Sequence, residues 1–138
     1  MNTKYILIIL GEPYSTFSEI VGKYFKKNRK LNKKIVLVGC KSLLQSHLKD
    51  LNCLFKLNEI KFIKQAKKNI VNIININFNY KKIFDNISNK SNSYIERSFN
   101  KSLEIIKNNI GKVILINGPI SKKTFFKKKF SGVTEYLS

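Results

Sequence analysis

Val113-Ile-Leu-Ile-Asn-Gly-Pro-Ile-Ser-Lys122 reads as a strand that opens into a rigid turn. Four apolar residues in a row need cover on both faces, as in a parallel sheet. Asn117-Gly118-Pro119 then ends the extended run. A Gly-Pro turn at the carboxyl end of a buried strand is how open α/β sheets build a ligand crevice. Ser121 is placed to cap a short basic helix, and Gly132-Val133-Thr134-Glu135 follows it.

Two other stretches repeat the first half of that pattern. Tyr5 to Leu10 is a continuous apolar run closed by Gly11, and Lys34-Ile-Val-Leu-Val38 is closed by Gly39. Helical periodicity separates them. Thr16-Phe17-Ser18-Glu19 has the form of a capping box, and Phe17, Ile20, Val21, Tyr24 and Phe25 recur at helical spacing after it. Ser42 is positioned to cap a second helix with Leu44, His47 or Leu48, and Leu51 on its apolar face. Cys53 to Leu57 reads as a third strand. Ile70 to Phe78 alternates apolar residues with asparagine, the pattern of a strand with one wet face. Tyr80 to Ser93 is polar and reads as a loop. Tyr94 to Asn108 predicts a long helix with Ile95, Phe99, Leu103 and Ile106 on one stripe and Gly111 as its stop. The alternation predicts a three-layer α/β/α fold, with Tyr5–Leu10, Lys34–Val38 and Val113–Ile116 as buried neighbours in one sheet. All 138 residues fit one domain, with no internal boundary, repeat or low-complexity linker.

Composition excludes several classes of function. The one histidine, His47, cannot build a metal cluster or serve a Ser/His/Asp or Cys/His constellation, and its place on a helix face points to a structural role. Cys40 and Cys53 have no metal-ligand spacing and form no disulfide framework; they read as two buried thiols in a reducing cytoplasm. Neither G-x-G-x-x-G nor G-x-x-x-x-G-K-[ST] occurs. The apolar run at Tyr5 is far short of the roughly 20 residues that span a bilayer, so the reading is a cytoplasmic protein with no membrane partner. The formal net charge is +19 with a pI near 10.0. Lysine is spread along the whole chain, which fits a compositional bias and solvated faces, with only non-specific, salt-sensitive binding of nucleic acid.

Several of these motifs together resemble one family, the 4-hydroxythreonine-4-phosphate dehydrogenases of vitamin B6 biosynthesis. Family members carry a Thr-Ala/Gly-Pro-Ile-x-Lys turn after a strand, matched here by Asn117-Gly118-Pro119-Ile120-Ser121-Lys122. Their Gly-His-Thr-Glu-Tyr/Phe-Leu motif is matched by Gly132-Val133-Thr134-Glu135-Tyr136-Leu137, with Val133 in place of the histidine. Gly11-Glu12-Pro13 and Asn92-Ser-Tyr-Ile-Glu-Arg-Ser98 also match. After Pro13 the family has Ala-Gly-Ile-Gly-Pro; this chain has Tyr14-Ser15-Thr16-Phe17-Ser18.

The resemblance implies a fold like that of isopropylmalate dehydrogenase, with two α/β halves and an active site in the cleft between them. It implies NAD- or NADP-dependent, divalent-metal-assisted oxidation of 4-phosphohydroxy-L-threonine, a phosphorylated hydroxy amino acid, and a homodimer in the full-length form. It assigns the substrate's phosphate to Gly118, Ser121, Lys122 and Thr134, with Val133 at the position of the family's histidine. The family's metal-ligating histidines and most of its cofactor contacts lie beyond the matching stretch, so the chain is expected to be an N-terminal part of such an enzyme, inactive alone. Two other classes stay open at this point: a basic α/β nucleic-acid-binding protein, and a non-catalytic interaction module.

Overall fold

The structure, a computed structural model, describes residues 3–120. Five parallel strands form one sheet in the order β3-β4-β2-β1-β5. They are β1 (Tyr5–Ile9), β2 (Lys34–Gly39), β3 (Leu57–Glu59), β4 (Val71–Asn75) and β5 (Val113–Asn117). Three α-helices among the described residues, α1 (Phe17–Lys27), α2 (Lys41–Asp50) and α3 (Asn92–Asn108), cover the faces of the sheet. The three apolar runs do lie side by side: Leu7 of β1 sits between Val36 of β2 and Leu115 of β5.

Chain direction decides which face each connection covers. The path from β1 through β2 to β3 moves one way across the sheet, and the path from β3 through β4 to β5 moves back. Crossovers of a single hand must then put the first two connections on one face and the last two on the other. The packing agrees. Val21 and Phe25 of α1 and Leu44 and Leu48 of α2 pack with Ile8, Ile35, Leu37 and Ile73. Ile105 of α3 and Ile60 and Ile63 of the β3–β4 connection pack with Tyr5, Leu7, Val36 and Ile74 on the opposite side. Nearer the start of α3, Ile95 and Phe99 join Ile9, Cys40 and Leu43.

Several expectations need correction. β4 has no wet face: Asn72 is fully buried. Its Nδ2 donates to the carbonyls of Ile35 at 2.8 Å and Lys67 at 2.9 Å, and its Oδ1 accepts from Asn58 Nδ2 and the Lys67 amide, both at 2.9 Å. Asparagine is tolerated there because protein groups replace water at both ends of the amide. The third strand lies at Leu57–Glu59, since Cys53 and Phe55 go instead into the core beside α1 and α2. The buried stripe of α3 is Tyr94, Ile95, Ser98, Phe99, Ser102 and Ile105, whereas Leu103 is exposed. Ser98 and Ser102 enter this packed face because each hydroxyl donates to the carbonyl four residues back, at 2.9 and 2.8 Å. Among the described residues β5 is covered on one face only. Val113 and Leu115 pack toward α3, while Ile114 and Ile116 remain 45% exposed. Neither expected cap forms. Thr16 makes no side-chain cap bond; the Phe17 amide donates to Ser15 Oγ. At α2 the Lys41 amide donates to Asn75 Oδ1 of β4, and the Ser42 hydroxyl accepts from Tyr80.

Cys40 and Cys53 are both free and buried. No helix among the described residues is long and apolar enough to cross a membrane.

Asn72→Ala deletes the amide that joins β2, β4 and the β3–β4 connection, leaving the buried Ile35 carbonyl and the part-buried amide and carbonyl of Lys67 without it. A buried group left unpaired costs about 1–3 kcal/mol, so urea denaturation should show a loss of about that size. A loss within about 0.5 kcal/mol would mean that water replaces the amide freely.

Candidate functional site

All five strands point their carboxyl ends to one edge, where the loops after β1, β2, β4 and β5 gather. Two turns are clasped there. The Gly118 amide donates to the Ile9 carbonyl, and the Glu12 amide donates to the Pro119 carbonyl at 2.9 Å. The backbones approach so closely that a Cβ on Gly118 would lie 2.3 Å from the Leu10 carbonyl oxygen. Gly11 adopts φ +73°, and a Cβ there would meet the Pro119 oxygen at 2.6 Å. Both glycines of the Gly11-Glu12-Pro13 and Asn117-Gly118-Pro119 motifs are therefore used in bringing one turn against the other.

This clasp folds Glu12 inward. Its carboxylate is buried, accepting from the Ser91 hydroxyl at 2.9 Å and, more loosely, from the Tyr14 amide at 3.3 Å. Ser91 lies in a short 3-10 turn at the start of α3, so the carboxylate ties β1 to α3. Burial pushes the Glu12 pKa up, and the bonds from Ser91 and Tyr14 oppose that shift.

Next to Glu12, Tyr94 accepts the Cys40 amide at 2.8 Å while buried to 3% exposure. Burial pushes its phenol far above the usual range, so it stays neutral and holds α3 to the end of β2. Gly39 makes room for it, since a Cβ there would meet the Tyr94 hydroxyl at 2.8 Å. His47 is buried, paired through Nε2 with the Ile83 carbonyl and stacked on Phe84 at 4.7 Å. It pins the long 79–88 loop to α2, in keeping with a structural role. A cavity of about 20 Å³, the size of one water molecule, lies among Leu10, Glu12, Cys40, His47 and Tyr94.

The larger opening is at the switch in chain direction. The connection leaving β2 goes to the α1 face, and the one leaving the adjacent β4 goes to the α3 face. Their divergence opens a pocket of about 300 Å³. Lys41, Ser42, Gln45, Glu59, Asn75 and Asn77 line it, with Phe78 at its side. Lys41 Nζ pairs with Glu59 at 3.3 Å, and Asn75 Nδ2 donates to Asn77 Oδ1 at 3.0 Å. These groups offer hydrogen bonds to a polar ligand. No group of three or more His, Cys, Asp or Glu among the described residues could hold a metal ion.

Of the residues assigned to the substrate's phosphate, the structure describes Gly118 alone. It sits buried in the clasp at the end of β5. Ser121, Lys122, Val133 and Thr134 lie outside the described residues. Sequence reasoning missed Glu12–Ser91, which are 79 residues apart, and the Asn75–Asn77 pair. The signal for that pair was present: asparagines at the carboxyl end of a predicted strand in an open α/β sheet.

Glu12 yields a pH prediction. Its folded pKa is raised, so the folded state holds the proton more tightly than the unfolded chain. The resulting stability is complete below the unfolded carboxylate pKa and is lost as pH rises through the folded value. Glu12→Gln keeps an acceptor and cannot ionise, so denaturation midpoints measured from pH 4 to 8 should lose this component and fall less steeply than wild type. Parallel profiles would show that the carboxylate is not strained by burial. Glu12→Ala should cost most at the acid end of that range, about 1–3 kcal/mol, because the Ser91 hydroxyl then keeps only its longer bond to the Ser88 carbonyl.

No family model matches the sequence, and no curated protein matches it. Solved structures do. A protein described as a 4-hydroxythreonine-4-phosphate dehydrogenase of Salmonella typhimurium matches with a TM-score of 0.81 at 18% identity, over 99% of this chain and 44% of its own. The enzymes of that name from Klebsiella pneumoniae and Burkholderia phymatum match with TM-scores of 0.75 and 0.74 at 16% identity, over 98% and 99% of this chain and 43% of theirs. This chain thus spans less than half the length of the proteins it matches. The family whose motifs the sequence resembles and the family of these neighbours are the same, and the chain has the fold of that part of a 4-hydroxythreonine-4-phosphate dehydrogenase.

Proposed function

We propose that this chain forms the N-terminal part of a 4-hydroxythreonine-4-phosphate dehydrogenase, contributing one wall of its substrate cleft. The observation that carries this reading is the coincidence of fold and motif. A TM-score of 0.81 over 99% of the chain accompanies a motif match whose first half falls on the carboxyl end of β5, the edge where α/β sheets bind ligands. The reaction would be oxidation of the secondary alcohol of 4-phosphohydroxy-L-threonine with NAD or NADP. No group of His, Cys, Asp or Glu among the described residues fits a divalent metal. The function assigned to this chain is binding and orientation. Asn117-Gly118-Pro119 sets the cleft wall, Ser121 and Lys122 approach the phosphate, and Thr134 donates its hydroxyl. Lysine suits phosphate as a mobile point charge. Val133 replaces a donor with an apolar side chain, which lowers phosphate affinity relative to enzymes with histidine there.

Two measurements test this. With NAD or NADP and a divalent metal supplied, the purified chain should show no reduction of the cofactor by the phosphorylated alcohol; turnover would overturn the assignment to binding alone. In a chain extended to the length of its structural relatives, calorimetric titration with 4-phosphohydroxy-L-threonine should show Val133→His binding tighter by about one to two orders of magnitude, the worth of a charge-assisted hydrogen bond of roughly 1.5–3 kcal/mol. Equal affinities would mean that position 133 does not face the phosphate.

A further inference from the structure

The connection from β3 to β4 divides its residues sharply. Ile60, Ile63 and Ala66 recur every third position, as a 3-10 turn at Ile63–Gln65 requires, and all three are buried against the sheet and Ile105 of α3. The residues between them face outward: Lys61, Phe62, Lys64, Lys67 and Lys68 are exposed. Phe62 is 66% exposed, the most open of the exposed aromatic side chains among the described residues. Its backbone is fixed all the same. Gln65 Oε1 accepts the amides of both Lys61 and Phe62 at 2.9 Å, and the Gln65 amide donates to the Phe62 carbonyl at 2.9 Å. A bare phenyl ring on a locked turn costs hydration in the free protein and supplies a flat face at little entropic cost on binding.

Beside the ring runs a groove of about 340 Å³ between this turn and the last two turns of α3. Lys61, Lys64 and Lys101 line it against one acidic residue, Glu104, which Lys101 approaches at 3.8 Å. Asn108 and Asn109 close its far end. The feature therefore combines a positively charged track with one rigid, exposed aromatic face. That pairing fits a single-stranded nucleic acid, whose phosphates follow the lysines while an unstacked base lies on the ring. A duplex would hide its base faces, and an acidic peptide has none to offer.

We infer that this groove is a sequence-tolerant binding surface for single-stranded nucleic acid, with Phe62 as the stacking platform and Lys61, Lys64 and Lys101 on the backbone. It is separate from the carboxyl edge of the sheet and does not rest on the dehydrogenase reading. What distinguishes it from the diffuse charge of a +19 chain is the dependence on one ring.

The test is fluorescence anisotropy of the purified chain with labelled dT15 and U15 across a salt series. Phe62→Ala should weaken binding of both about tenfold, within the range for loss of one stacked base. Tyr24→Ala, which removes an exposed ring in the equally basic last turns of α1, should leave affinity unchanged. The double variant Lys61→Gln/Lys64→Gln should flatten the slope of log K against log salt by about 1.4, as expected for two lost phosphate contacts on a single strand. Lys27→Gln/Lys30→Gln removes the same charge elsewhere and should leave the slope unchanged. Phe62→Trp keeps the platform and should show indole fluorescence quenched by dT15, so the assignment does not depend on a loss-of-function variant. Unchanged affinity in Phe62→Ala, equal effects of the two lysine pairs, or competition by duplex DNA or polyglutamate as effective as by unlabelled dT15 would each overturn it.

Discussion

The handedness of parallel crossovers is the constraint on which the rest of this structure depends. The apolar residues of β1, β2 and β4 demand cover on both faces, and each connection can lie on only one. With the order β3-β4-β2-β1-β5, the chain reverses direction across the sheet once, at β3. That reversal fixes α1 and α2 on one side and places Ile60, Ile63 and α3 on the other. It also makes the loops after β2 and β4 part company. The polar pocket at Lys41, Asn75 and Asn77 follows from topology, and its lining follows from placing asparagine where the strand ends.

The same edge shows how a functional motif and a packing requirement share residues. Gly11 and Gly118 are needed simply to let two turns meet, since a Cβ on either would collide with the backbone of the other. Once they meet, Pro119 accepts the Glu12 amide, and the carboxylate is turned into the protein toward Ser91. Glu12, Tyr94 and His47 all carry groups suited to acid–base work. Each is instead engaged as a tie: β1 to α3, α3 to β2, and the 79–88 loop to α2. A buried titratable group near a cleft is a candidate for catalysis only when a reacting atom can reach it. Here the space beside these three admits about one water molecule.

The sheet and its neighbours were legible because continuous apolar runs such as Tyr5–Leu10 and Lys34–Val38 have few other uses in a chain this polar. The limits lay where burial and polarity part. Asn72 looked like a solvent-facing position, yet its amide is satisfied by Ile35, Lys67 and Asn58, partners that no local pattern discloses. Leu103 fitted a helical stripe, but Ser98 and Ser102 took the buried face by bonding to their own helix. Side-chain caps were misassigned for a similar reason. Thr16 and Ser42 have the right chemistry for caps, while the amide at the start of α2 is met by Asn75 from across the sheet. Half of the candidate site was legible in the same sense: the Gly-Pro turn of β5 is where its sequence put it, and the Glu12–Ser91 link needed the fold to bring together residues 79 positions apart.

Charge is the property that sequence alone described least well. Lysines spread evenly over a chain read as a solvated surface, and most of those here fit that description. The 60–68 connection differs because the sheet claims every third residue of it. Burying Ile60, Ile63 and Ala66 forces Lys61, Phe62, Lys64, Lys67 and Lys68 outward together. The one apolar ring among them gains nothing from the core. The core thus determines which side chains are presented, and the composition of what remains determines the class of partner that can use them.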